Sequence, residues 1–151
     1  MNREELKAAI TEIIPAATFD ETGEFLHAIV PNTDFHPFMK SIRENGNFNF
    51  DYLFCLTCID WKTHFMMVYH LLSKNHKHEL VVKVKLENRD AAEIETVSDI
   101  WKTANFHERE VFDLFGVTFR NHPDLRRLFL DDNWPGFPLR KDYVDENMIE
   151  L

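Results

Sequence analysis

Leu6, Ala9, Ile10, Ile13 and Ile14 recur at the spacing of one helical face, and Pro15 ends the run. Asn2 can cap this helix, with Glu5 three residues on as its capping-box partner. A second stripe, Phe35, Phe38, Met39 and Ile42, predicts a helix from Asp34 to about Asn45, with Gly46 just past its end. Between the two helices, Ala17 to Asp20 and Phe25 to Val30 read as short strands across Glu21-Thr22-Gly23. Three β-rich runs follow, Tyr52–Trp61, Phe65–Leu72 and Glu79–Glu87, separated by polar breaks. The last alternates, with Leu80, Val82, Val84 and Leu86 on one side and Lys83 and Lys85 on the other. The middle run is apolar on both faces, as suits a central strand. Ser98 can cap a short helix from Asp99 to Thr103. This order of elements predicts a single α+β domain over residues 1–151, with a mainly antiparallel sheet and flanking helices.

The pattern changes character between Asn105 and Tyr143, where charge is dense but apolar and turn residues persist. Asn105 and Glu108 can form a capping box, and Gly116 stands where a left-handed helix cap is wanted. Val111, Leu114 and Phe115 share one helical face, and Arg109 and Asp113, four apart, can pair. A short strand, Val117-Thr118-Phe119, should follow. Pro123 with Asp124 is expected to open a brief helix carrying Arg126 and Arg127. Trp134-Pro135-Gly136-Phe137 fits a type II turn. Pro138 favours an extended continuation, with Arg140 and Asp142 facing one side and Lys141 and Tyr143 the other. The C-terminal part is thus a charged helix–loop segment laid on the α+β domain.

Composition narrows the function classes. At 44% hydrophobic and 28% charged, the chain is that of a soluble globular protein, and 151 residues make one domain the default. A domain of this size buries roughly 70% of its unfolded surface, so its core needs no staples. Fourteen phenylalanines are a heavy load, leaving some to face a partner. The net charge of −9 argues against nucleic acid or an anionic lipid surface as the main partner. No apolar run has transmembrane length, and MNREELKAAI lacks the pattern of a signal peptide. The expectation is a cytoplasmic chain whose two cysteines need not pair.

Two clusters invite chemistry. Cys55 and Cys58, followed by His64, His70, His76 and His78, suggest a zinc-binding module. Yet this Cys spacing within a strand places the thiols on opposite faces, and two thiolates are too few for an iron–sulfur cluster. Buried core thiols are the simpler reading. Glu108, Glu110 and Asp113, with His107 and His122 nearby, suggest a small acid/base enzyme. The competing reading is a charged face pairing with Arg109, Arg126, Arg127 and Arg140. Four glycines and no glycine-rich loop leave nothing resembling a phosphate cradle.

Three blocks in order, Glu108-Arg-Glu-Val-Phe-Asp-Leu-Phe-Gly-Val117, His122-Pro-Asp-Leu-Arg-Arg127 and Pro138-Leu-Arg-Lys-Asp-Tyr143, resemble the 30 kDa-type (C-type) peripheral-arm subunit of respiratory complex I, NADH:quinone oxidoreductase. The chain departs from the family at Asp131-Asp132-Asn133, at Phe137 and at Val144. The resemblance implies a scaffold subunit with no catalytic, metal or cofactor residues of its own. FMN, iron–sulfur clusters and quinone would belong to the assembled complex. The implied partners are the D-type quinone-module subunit and the iron–sulfur subunits, on the cytoplasmic side of the bacterial inner membrane. Membrane contact would come only through the complex. The residues expected to form the partner interface are Glu108, Arg109, Glu110, Asp113, Gly116, His122, Pro123, Arg126, Arg127, Trp134, Arg140, Lys141, Asp142 and Tyr143. Arginine forks flanked by aromatic side chains are the usual anchors of such surfaces. The corresponding subunit of an energy-converting hydrogenase or a ferredoxin-driven quinone reductase shares these motifs and stays open, as do the zinc module and the acid/base enzyme.

Overall fold

A computed structural model describes residues 1–149. Helix α1 (Arg3–Ile13) carries the expected capping box, with the Asn2 side chain accepting from the Glu5 amide and the Glu5 carboxylate from the Asn2 amide. Strands β1 (Thr18–Asp20) and β2 (His27–Ile29) are shorter than the sequence suggested. Helix α2 (Phe35–Glu44) buries Phe35, Phe38, Met39 and Ile42. Then come β3 (Tyr52–Asp60), β4 (Phe65–Ser73) and β5 (His78–Leu86), followed by β6 (Glu93–Glu95), α3 (Ala104–Phe115) and β7 (Thr118–Arg120).

The main sheet has the order β1-β2-β5-β4-β3, antiparallel except for the parallel β2–β5 pair. β4 lies between two strands, in keeping with its apolar faces. The β3–β4 turn is closed by Trp61 N–H to the His64 carbonyl, with Lys62 in the left-handed region (φ 69°). Leu80, Val82, Val84 and Leu86 join Leu6 and Ile10 of α1, α2 and Val111 and Phe115 of α3 in one core. β6 and β7 make a separate parallel pair beside α3. β6 was not anticipated, because a three-residue strand leaves too short an alternation to read.

Four local expectations fail. Residues 98–103 form turns rather than a Ser98-capped helix, and the Ser98 hydroxyl bonds Thr96 instead. α3 starts at Ala104 with Thr103 in the cap position, so Asn105 is no cap and no capping box with Glu108 forms. The segment after Pro123 is a chain of turns, not a helix. Residues 139–143 are not extended but turn repeatedly, with Arg140 N–H on the Phe137 carbonyl and Tyr143 N–H on the Arg140 carbonyl. Gly136, at φ 80°, does take the left-handed conformation that a type II turn requires.

Candidate functional site

α3 is the spine on which residues 121–140 are wound. Val111 and Phe115 anchor it in the core, and Leu114 lies partly buried against the same core. Gly116 ends it at φ 76°, returning its amide to the Phe112 carbonyl. From this spine Asp113, fully buried, reaches into the loop that follows. Its Oδ2 accepts the backbone N–H groups of Leu128, Phe129 and Leu130 at 3.1, 2.7 and 3.1 Å. Its Oδ1 and its own carbonyl accept from Arg127 Nη1, each at 3.0 Å. Burial alone would push this carboxyl up, but the loop amides and Arg127 outweigh it and hold it below its ordinary value. Arg127 Nη2 in turn donates to the carbonyls of Trp134 and Gly136, and its guanidinium lies over the Phe137 ring. The expected Arg109–Asp113 pair does not form. Arg109 instead donates through Nε and Nη2 to the Arg126 and Arg127 carbonyls, both at 3.2 Å. The amides and carbonyls that a helix after Pro123 would have used are thus held by α3.

One turn earlier on α3, Glu108 points into the protein. Oε1 accepts from the Val97 amide at 2.8 Å and Oε2 from the Thr96 hydroxyl at 2.5 Å. The buried His122 ring lies 3.8 Å from Oε2. Burial pushes the Glu108 carboxyl up to about 7, against the hydrogen bonds that favour its charged form. The His122 ring bonds the Asn105 carbonyl through Nε2 and the Asp124 amide through Nδ1. Glu108 and His122 together therefore tie α3 to both its flanking segments.

A third cluster fastens the last turns to the sheet. Asp60, at the end of β3, accepts from Arg89 at 2.7 Å and from the Lys141 amide at 2.9 Å. Arg89 spans to Asp142 with contacts of 3.0 and 3.3 Å. Burial raises the Asp60 carboxyl, but the Lys141 amide, Arg89 and the Lys62 amide bring it below its ordinary value. Arg140 donates to the Phe115 carbonyl at 2.6 Å, and its guanidinium carbon sits 5.1 and 4.9 Å from the Phe65 and Phe137 ring centres. A Cβ on Gly116 would come within 2.6 Å of Phe137 and 2.8 Å of Arg140. Glycine there serves both the backbone angle and this close approach. Trp134 Nε1 donates to the Tyr143 hydroxyl at 3.2 Å, and Lys141 lies over Trp61.

Residues 28–147 match the protein family described as respiratory-chain NADH dehydrogenase, 30 Kd subunit. The chain belongs to this family. The C-type subunit of NADH-quinone oxidoreductase from Burkholderia mallei is 34% identical over 160 residues, covering 98% of this chain and 80% of that protein. The C/D-type subunit of the same enzyme from Phocaeicola vulgatus is 45% identical over 123 residues, which cover 81% of this chain and only 23% of the relative. The chain therefore spans about a quarter of that C/D protein's length. Among solved structures, a chain of an archaeal respiratory complex, the membrane-bound sulfane sulfur reductase, superposes with a TM-score of 0.79 at 30% identity, covering 93% of this chain and 85% of that one.

The 30 Kd family blocks are thus brought together in space. Glu108, Arg109, Asp113, His122, Arg127, Arg140 and Asp142 bond largely within the protein. Trp134 and Lys141 are exposed, Arg126 is an exposed partner of Asp124, and Pro123 lies at the surface; Glu110 and Tyr143 are half-buried. Sequence reading missed Asp60 and Arg89, which lie far from the motifs in sequence and carry no local signal. The cysteines lie on opposite faces of β3, Cys58 buried and Cys55 half-buried on the outer side. Burial pushes the Cys58 thiol up to about 12, far from the thiolate a metal site needs. Among the described residues no three His, Cys, Asp or Glu side chains converge as metal ligands, and no helix is long and apolar enough to cross a membrane. Of the carboxylates in the suggested acid/base cluster, Glu108 and Asp113 are fully buried and Glu110 is half-buried, so only Glu110 reaches the surface.

Proposed function

We propose that the chain is a scaffold subunit, without cofactors of its own, in the peripheral arm of a proton-translocating NADH:quinone oxidoreductase. The observation that carries this reading is the use of the motif charges. They clamp residues 121–142 against α3 and the end of β3, while Phe106, Phe129, Leu139 and Trp61 remain exposed. A rigid outer layer with aromatic knobs suits docking against other subunits better than turnover of a small substrate. The motif residues from Glu108 to Tyr143 act in this reading mostly behind the interface, setting its shape. The partners are then a D-type quinone-module subunit and iron–sulfur subunits, with FMN, clusters and quinone held by them. The arm would sit on the cytoplasmic face of the bacterial inner membrane. The names of the relatives, subunits C and C/D of NADH-quinone oxidoreductase, support membership in such a complex.

The likeness to the sulfane sulfur reductase chain favours a second reading, in which the same scaffold serves a complex with another electron donor or acceptor. A hydrogenase or ferredoxin-driven quinone reductase falls within it. Affinity purification of the tagged chain from membranes tests both. NADH:quinone reductase activity and iron–sulfur absorbance are expected in the eluate. Elution with a different oxidoreductase activity would favour the second reading, and elution of the chain alone would refute both.

A further inference from the structure

Arg109, like Arg140, lacks the carboxylate partner that the other arginines of the cluster have. Arg127 has Asp113, Arg89 has Asp60, and Arg126 has Asp124. Arg109 is 5% exposed, yet among the described residues it has no carboxylate, only two backbone carbonyls on Nε and Nη2. Its third nitrogen, Nη1, has no hydrogen-bond partner among those residues and is not among the fully buried unpaired atoms, so it is reachable from the cleft. A largely buried guanidinium with one donor left open to a cleft is well placed to take an anion from outside. Arg109 also lines a cleft of about 490 Å³, together with Lys102, Phe106, Pro123 and Arg126. Lys102 is exposed and forms no ion pair among the described residues. The Asp124–Arg126 pair at the rim is neutral, so the cleft is positive on a chain whose formal charge is −9.

We infer that this cleft seats a carboxylate presented by a neighbouring subunit of the assembled complex. The inference rests on the complex membership proposed above. The site fits a carboxylate side chain for two reasons. The Arg109 fork offers a directional donor, which carboxylates accept well. Phe106 and Pro123 give apolar walls for the methylene stem of an Asp or Glu. The exposed Phe106, under which Arg109 lies at 5.5 Å, would be covered by the same partner.

Zero-length carbodiimide coupling in the purified complex tests the contact directly. An amide between the Lys102 amine and an Asp or Glu of another subunit is expected by mass spectrometry. It should vanish in Lys102→Arg, whose guanidinium does not react, with the complex still assembled. Arg109→Gln should reduce assembled copies about tenfold or more. Because Arg109 also holds the Arg126 and Arg127 carbonyls, Lys102→Glu provides the fold-neutral variant. It should keep the circular dichroism of the wild type, yet lower complex yield several-fold. Wild-type yield of Lys102→Glu, with no cross-link from Lys102 to another subunit, would overturn the inference while leaving the scaffold reading intact. Loss of binding to phosphatidylglycerol vesicles in Lys102→Glu, with assembly unchanged, would overturn it in favour of a lipid headgroup. A chain that enters no complex at all would overturn the scaffold reading itself.

Discussion

Glu108→Gln should make the protein's stability less dependent on pH, in a calculable direction. In the folded protein burial holds the Glu108 carboxyl at about 7, against an ordinary value of 4.5. Between these values the unfolded chain releases its proton while the folded one keeps it, so wild-type stability falls as pH rises. At about 1.4 kcal/mol for each pH unit, the full loss is on the order of 3 kcal/mol, and about 2 kcal/mol of it falls between about pH 5.5 and 8. Glutamine removes the proton but keeps the geometry. Its carbonyl can accept from the Val97 amide, and its amide can donate to the Thr96 oxygen. The groups facing Glu108 are His122, Tyr69, Glu95 and Asp99, all retained in the variant. Urea unfolding of both proteins at several pH values gives the difference in which these other titrations cancel. The variant should gain about 2 kcal/mol on the wild type from about pH 5.5 to 8. A difference independent of pH would mean that Glu108 is ionised in the folded protein, and would refute the assignment of a neutral buried acid.

Asp113→Asn leaves Arg127 without its carboxylate and should cost ~3–5 kcal/mol in chemical unfolding. Because the Asp113 carboxyl lies below its ordinary value, its contribution is complete above the unfolded value and fades as pH falls through the folded one. The deficit of the variant should therefore shrink in acid. Gly116→Ala forces a left-handed backbone and a clash with Phe137, so thermal unfolding should show a loss of at least ~1–2 kcal/mol. Gly46→Ala, which meets nothing within 4 Å, should be close to neutral in the same melt. With a thiol reagent near neutral pH, Cys55 should react slowly and Cys58 only after denaturant is added; equal rates under native conditions would contradict the burial of Cys58.

The elements that the sequence determined by itself are those whose signals are local. α1 and α2 follow from a 3.6-residue stripe with Asn2 or Gly46 at its ends, and β3, β4 and β5 from long β-rich runs broken by polar turns. Gly116 and Gly136 announced their left-handed angles in the same way. Family membership was legible too, since three motif blocks sit within about forty residues of one another. The tertiary structure decided what the motif charges do. Asp113 takes three amides at positions 128–130, Arg109 takes two carbonyls, and Glu108 reaches back to Thr96 and Val97. A buried carboxylate or guanidinium must find partners wherever the fold brings them, at a cost that exceeds any local helix or strand propensity. The brief helix after Pro123 and the capping box at Asn105 lost to that requirement. Asp60 and Arg89 entered the site for the same reason, joined to Lys141 and Asp142 across the fold rather than along the chain.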